Sequence, residues 1–195
     1  MRKAQTPPLH DIKADYEISK RNGRFRLIDN ILQDVGIRPD PCTGDENADA
    51  FLKQSWKAWA EDEDQCDLAG EMTFTEMERT VLRGTLVDGD ILPVANDAGT
   101  LEIMEAHRCR TPSNTKRNVV YGVELDEHRK RLRYLFTRDE LDPRRALRKV
   151  SDTVPVDARD SGGNRQVFHV FDPSRVSQTR GMSAFRRVAD TIGMH

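Results

Sequence analysis

Residues 91–104 read Ile91-Leu92-Pro93-Val94-Ala95-Asn96-Asp97-Ala98-Gly99-Thr100-Leu101-Glu102-Ile103-Met104. Here the apolar positions shift to a period of two, and Asn96-Asp97-Ala98-Gly99 supplies a turn between two such runs, the signature of a β-hairpin. Just upstream the period is helical. Phe74, Met77, Val81 and Thr85 recur three or four residues apart behind Thr73-Phe74-Thr75-Glu76, a capping-box pattern, which predicts a helix over 74–87 ending near Asp88-Gly89. Farther upstream, Ala48, Phe51, Leu52, Trp56 and Trp59 form a second helical stripe over about 47–62, opposed by Lys53, Lys57 and Glu61. The two stripes predict one shared core of Phe51, Trp56, Trp59, Phe74 and Met77, in which truncating Trp59 to Ala would cost about 3 to 5 kcal/mol.

Downstream of the hairpin, Val119-Val120-Tyr121-Gly122-Val123 and Leu132-Arg133-Tyr134-Leu135-Phe136 form a second candidate strand pair across a charged turn. Gln166-Val167-Phe168-His169-Val170-Phe171 reads as a last apolar strand, and Ser183 as the cap of a short closing helix. Helices first and then successive strands with short links argue an α+β fold: two amphipathic helices, a mainly antiparallel sheet and a closing helix. The expected organisation is a poorly ordered basic start over 1–26, a single α+β domain over 27–190 and a tail over 191–195. Within the start of that domain, Leu27-Ile28-Asp29-Asn30-Ile31-Leu32 predicts a short helical turn, stopped by Gly36 and Pro39-Asp40-Pro41.

Apolar residues make up 36% of the 195 and charged residues 33%, with a mean hydropathy of −0.72, so much of the surface must be ionic. A richly cored solitary enzyme is not the first reading. A membrane-spanning helix needs about 20 apolar residues, and no such run exists. The opening Met1-Arg2-Lys3-Ala4-Gln5-Thr6-Pro7-Pro8 leads into no signal-peptide apolar stretch. Cys42, Cys66 and Cys109 are odd in number and widely spaced, so neither a disulfide framework nor a zinc knuckle follows. The near-neutral charge of −2 conceals a polarity: residues 1–38 carry a net +3, 39–105 a net −13 and 106–195 a net +8. Such a split suits matching patches on neighbouring subunits, while its plain alternative is a solvated acidic helix beside a basic sheet.

No catalytic, cofactor-binding or metal-ligating residue is expected. His107 and Cys109 lie one residue apart between arginines, without a second pair at finger-like spacing. Gly181-Met182-Ser183-Ala184-Phe185 has only half of a nucleophile elbow. Glu61-Asp62-Glu63-Asp64 and Asp88-Gly89-Asp90 read as solvated carboxylate runs, and Gly84, Gly89 and Gly99 match no phosphate-binding spacing. His10, His128 and His195 read as surface residues.

Several segments in fixed order are more specific. They are Asp29-Asn30-Ile31-Leu32-Gln33-Asp34-Val35-Gly36-Ile37-Arg38-Pro39, the Trp56 and Trp59 helix with Cys66-Asp67-Leu68-Ala69-Gly70, and Phe74-Thr75-Glu76-Met77-Glu78 with Leu82-Arg83 and Gly89-Asp90. Next come Glu105-Ala106, Thr111-Pro112 and Tyr121-Gly122-Val123-Glu124-Leu125-Asp126. Last are Phe168-His169-Val170-Phe171-Asp172-Pro173-Ser174-Arg175 and Gln178-Thr179-Arg180-Gly181-Met182-Ser183-Ala184-Phe185. Together they span about residues 27–188, and the chain resembles the lambda-like family of tailed-phage portal proteins.

That resemblance implies a non-enzymatic homo-oligomeric ring, usually of twelve copies, at one capsid vertex of the virion. Its partners would be the packaging terminase, capsid and neck or tail proteins, with non-specific double-stranded DNA in the channel, no cofactor and no membrane. Members are usually several hundred residues long, so the expectation is an amino-terminal piece from a truncated product or a split or decayed prophage gene, the latter located in the bacterial cytoplasm. On the residues alone a second reading stays open: a small adaptor or nucleic-acid-associated interaction module using the basic 106–195 region.

Overall fold

In a computed structural model, which describes residues 35–36, 38–113, 115, 118–137 and 153–185, helices precede sheets as the change of period predicts. The first helix, α1 (Glu46–Ala60), starts behind Asp45, which stays extended while its carboxylate accepts from the Asn47 and Ala48 N–H groups, at 2.9 and 3.3 Å. One short turn, α2 (Glu63–Cys66), follows behind the Asp62 cap. The helix α3 (Phe74–Val87) carries the capping box in full. Thr73 N–H donates to Glu76 Oε2 at 2.9 Å, and Glu76 N–H donates to Thr73 Oγ1 at 3.4 Å. At its far end Asp88 N–H still reaches Gly84 O, and Gly89 turns the chain with φ +96°.

Strands β1 (Asp90–Ala95) and β2 (Leu101–Glu105) form the expected antiparallel hairpin, in the register Leu92 to Met104 and Ala95 to Leu101. A one-turn 3-10 helix, Ala106–Arg108, leads out of it. The segment Val119–Val123 is not one strand. It divides into β3 (Val119–Val120) and β4 (Val123–Leu125), joined by a two-residue turn in which Tyr121 and Gly122 both have positive φ, the type I′ pattern. The expected pairing with the next strand holds, as β4 pairs antiparallel with β5 (Arg131–Phe136). A further strand, β6 (Val154–Asp157), pairs with β5 at the sheet edge, where Pro155 can lack an N–H without breaking a ladder on both sides. The last apolar run contributes only β7 (Val170–Phe171) plus an isolated bridge from Val167 to Val94.

The result is two antiparallel sheets, ordered β2-β1-β7 and β3-β4-β5-β6. A single cluster of buried side chains draws on both, with Leu92, Val94 and Met104 from the first, and Val123, Leu125, Tyr134 and Phe136 from the second. Cys109 and Val167 complete it. The predicted start, the turn over 27–32, the closing helix and the tail lie outside the described residues, apart from Ala184 and Phe185 behind the Ser183 cap, where Phe185 N–H donates to Ser183 Oγ at 3.1 Å. Among the described residues no helix is long and apolar enough to cross a membrane.

The shared aromatic core is corrected. No residue of α1 is buried, and Phe51 is 67% exposed. Trp56, Trp59 and Phe74 form a half-buried triangle with ring centroids 5.0–5.2 Å apart, while Met77 alone of the five is buried. Helical periodicity reports a stripe and not its depth, and among the described residues this stripe meets Phe74 at the first turn of α3 and the hairpin loop, where Trp59 Nε1–H donates to Gly99 O at 3.1 Å. Trp59→Ala is therefore expected to cost about 1 to 2 kcal/mol, below the range for a core ring. Urea unfolding of the variant measures this, and a loss above 3 kcal/mol would restore the buried reading.

Candidate functional site

Two acidic residues read as solvated turn out to be buried: Asp88 is 8% exposed and Asp90 2%. A carboxylate starting a buried strand needs partners, because an isolated charge there is strongly disfavoured. Asp90 has four. Arg180 donates to it through Nε and Nη2, the latter at 2.9 Å, and the Gly181 N–H and His169 Nε2 each reach Asp90 Oδ2 at 2.9 Å. Oδ2 takes three of these bonds and Oδ1 one, so both carboxylate oxygens are engaged.

The guanidinium is equally occupied. Its remaining N–H groups donate to Cys109 O at 2.9 Å, Tyr121 O at 3.0 Å and Ala106 O at 2.7 Å. All five donors of Arg180 are used, and they join the start of β1, the 3-10 turn and the β3–β4 turn. One side chain thus bolts the first sheet to the second.

Backbone packing brings the two segments together. Gly89 and Gly181 touch main chain to main chain: a Cβ on Gly181 would lie 1.9 Å from Gly89 O, and one on Gly89 would lie 2.4 Å from the Met182 carbonyl carbon. Only glycine on both sides allows this approach, which sets Arg180 over Asp90.

Burial by itself pushes the Asp90 carboxyl up, but hydrogen bonds from Arg180 and His169 and the Arg180 charge outweigh it and hold the group well below the usual carboxylate range. Burial pushes Arg180 down, and the bonds and charge of Asp90 more than reverse that. For His169 burial wins: its pKa falls below the ordinary 6.5, against the opposing pull of Asp90. The neutral ring gives its Nε2–H to the carboxylate, which can only accept, and leaves Nδ1 buried without a partner. Tyr134 and Phe171 rings enclose it, at 5.5 and 4.6 Å between centroids.

The pH consequence has a definite sign. Below about pH 6.5 an unfolded His169 takes up a proton that the folded one refuses, so the unfolded state binds more protons and stability falls as pH falls. Urea midpoints are expected to drop from pH 7 to pH 5, with a slope of at most about 1.4 kcal/mol per pH unit from this group. His169→Gln, which keeps a donor toward Asp90, should flatten that slope. An unchanged slope would assign it to other groups.

The remaining residues weighed from sequence are scattered. His107 has a side chain 9% exposed and its Nδ1 lies 3.2 Å from Glu105 Oε2. Cys109 is buried in the core, where burial pushes the thiol up to about 11. Glu61, Glu63 and Asp64 are exposed as expected, and His128 is on the surface. Among the described residues no three His, Cys, Asp or Glu side chains are grouped to hold a metal ion. Sequence reasoning missed Asp90, His169 and Arg180 as a unit. The available signal was an aspartate opening an apolar strand and a histidine inside another, since polar groups on buried faces must be paired.

Next to this bolt lies a solvent-open cleft floored by Leu125 and Phe171 and edged by Arg129, Arg131, Arg175 and Val176. Arg131 spreads over the Phe171 ring at 5.3 Å, and Arg129 donates to Ser177 O at 2.6 Å and Thr179 Oγ1 at 3.2 Å. These arginines and the neighbouring Lys130 form no ion pair among the described residues.

Comparison with known proteins matches residues 21–194 to the family described as phage portal protein, lambda family. Portal protein B of Escherichia phage lambda is 28% identical over 165 residues. That alignment covers 77% of this chain and 30% of the relative, so the chain spans under a third of the length of the curated protein it matches. The matched stretch takes in the helices, both sheets and the Asp90–Arg180–His169 bolt, and the chain belongs to the lambda family of phage portal proteins.

Proposed function

We propose that this chain serves as a structural, non-enzymatic part of a phage portal, the ring at one capsid vertex through which double-stranded DNA enters during packaging and leaves at ejection. The family match over residues 21–194 carries the reading. In it the chain works in the virion as one of a ring of identical copies, beside capsid, neck or tail proteins and the packaging terminase. The bolt supports a mechanical role, since all five Arg180 donors and both oxygens of the buried Asp90 carboxylate are engaged inside the protein.

A conduit needs only loose, sequence-independent contact with the duplex. Binding is therefore expected to be non-specific and no tighter than roughly micromolar at physiological salt. Self-association should weaken as salt rises, because exposed charges are screened. Sedimentation velocity at low and high salt, with a duplex titration, tests both. A stable monomer that binds one DNA sequence with nanomolar affinity would overturn the portal reading in favour of an adaptor.

A further inference from the structure

The sheet β2-β1-β7 carries opposite charge at opposite corners. At the hairpin end, on the β2 side, Trp59 Nε1 is tied to Gly99 O and Leu68 N–H to Leu101 O, which brings α2 and the loop after it beside the turn. Glu63, Asp64, Glu71 and Asp97 are exposed there, around a Leu68 that is 54% exposed. Neither Glu63 nor Asp64 has a basic partner among the described residues. At the other end of β1, on the β7 side, Asp90 pairs with Phe171, and Phe171 floors the cleft of Arg129, Arg131 and Arg175, where Val176 is fully exposed.

The six residues of β1 hold the two corners roughly 17 Å apart along the strand, and β1 itself separates them across the sheet. They cannot meet within one copy. Each combines an unpaired charge cluster with an exposed apolar side chain, the composition of an interface with an apolar centre and a charged rim. Complementary patches on different parts of one surface form a heterologous contact, the kind that closes rings.

We propose that the acidic corner of one copy, around Glu63, Asp64 and Leu68, docks into the arginine cleft of the next copy, with Leu68 against Phe171 and Val176. This rests on the ring reading and names the surfaces that would make it.

Charge reversal of the full chain tests it, read by sedimentation velocity at low salt with circular dichroism as a folding control. E63K/D64K and K130E/R175E alter exposed side chains that take no part in the bolt. Each pair should weaken self-association by about tenfold or more, since like charges then face each other. A chain carrying all four changes should regain the original strength, because the charges match again with the signs exchanged. Salt-sensitive association that neither reversal weakens, or weakening without rescue, would overturn these surfaces while leaving the ring reading intact. Loss of duplex binding in K130E/R175E with unchanged self-association would make the cleft a phosphate site instead and overturn the proposal. An unaltered chain that never self-associates would remove both.

Discussion

Replacing Arg180 with methionine is expected to remove about 3 to 5 kcal/mol from the unfolding free energy, the cost of stranding a buried charge that has lost its partner. Asp90 is 2% exposed and would keep only the Gly181 N–H and His169 as donors, while Ala106 O, Cys109 O and Tyr121 O would each lose the bond from Arg180. A domain of this kind has about 5 to 15 kcal/mol in total, so the variant should sit near the edge of folding. Arg180→Lys should fall almost as far, because an ammonium cannot present five donors in a fork. Adding Asp90→Asn to Arg180→Met should recover part of the loss, since the stranded charge goes. Urea unfolding of the wild type, Arg180→Met, Asp90→Asn and the double variant closes the cycle. A loss under 1 kcal/mol for Arg180→Met would show that the bolt holds nothing.

Gly181→Ala should be nearly as damaging, at about 3 kcal/mol or more. The added methyl would sit 1.9 Å from Gly89 O, 2.4 Å from the same carbonyl carbon and 2.8 Å from Asp90 Cβ. Two of these are backbone atoms, so no side chain can swing aside; the segments must part, and Arg180 would be drawn off Asp90. Gly99→Ala is the control. Gly99 has φ +85° but nothing within 4 Å of where its methyl would sit, so only the left-handed backbone conformation opposes the change, at about 1 to 2 kcal/mol. Equal losses at the two positions, measured by urea unfolding, would place the effect in backbone conformation and not in the close approach.

What the sequence made legible was whatever chemistry is local. Thr73 and Glu76 sit three residues apart and cap the helix they announce, and α3 spans the expected 74–87. Asn96 to Gly99 turn the chain between runs of period two, and the hairpin follows. What escaped depends on partners remote in sequence. The depth of the Trp56 and Trp59 stripe does not follow from its period, and no residue of α1 is buried. The break at Tyr121-Gly122 needed a tyrosine with φ +51°, which has no propensity signal like that of Asn-Gly. β6 hid behind Pro155, which argues against a strand unless the strand lies at an edge. Asp90, His169 and Arg180 stood in the segments that carried the family resemblance, yet Asp90 read as a solvated carboxylate and the other two drew no reading of their own until the fold set them 2.9 Å apart or closer.

The bolt also imposes a timetable. Asp90 is synthesised ninety residues before Arg180, a lead of roughly 5 to 20 s at ribosomal speed. Until residues 166–171 emerge, β1 is paired on one edge by β2 and lacks its partner on the other. A bare strand edge is where nascent chains stick to one another, and a charge placed on it is a standard defence. Until Arg180 is made, Asp90 would leave a charge at the end of that open edge, and the arrival of Arg180 pairs it into the finished fold.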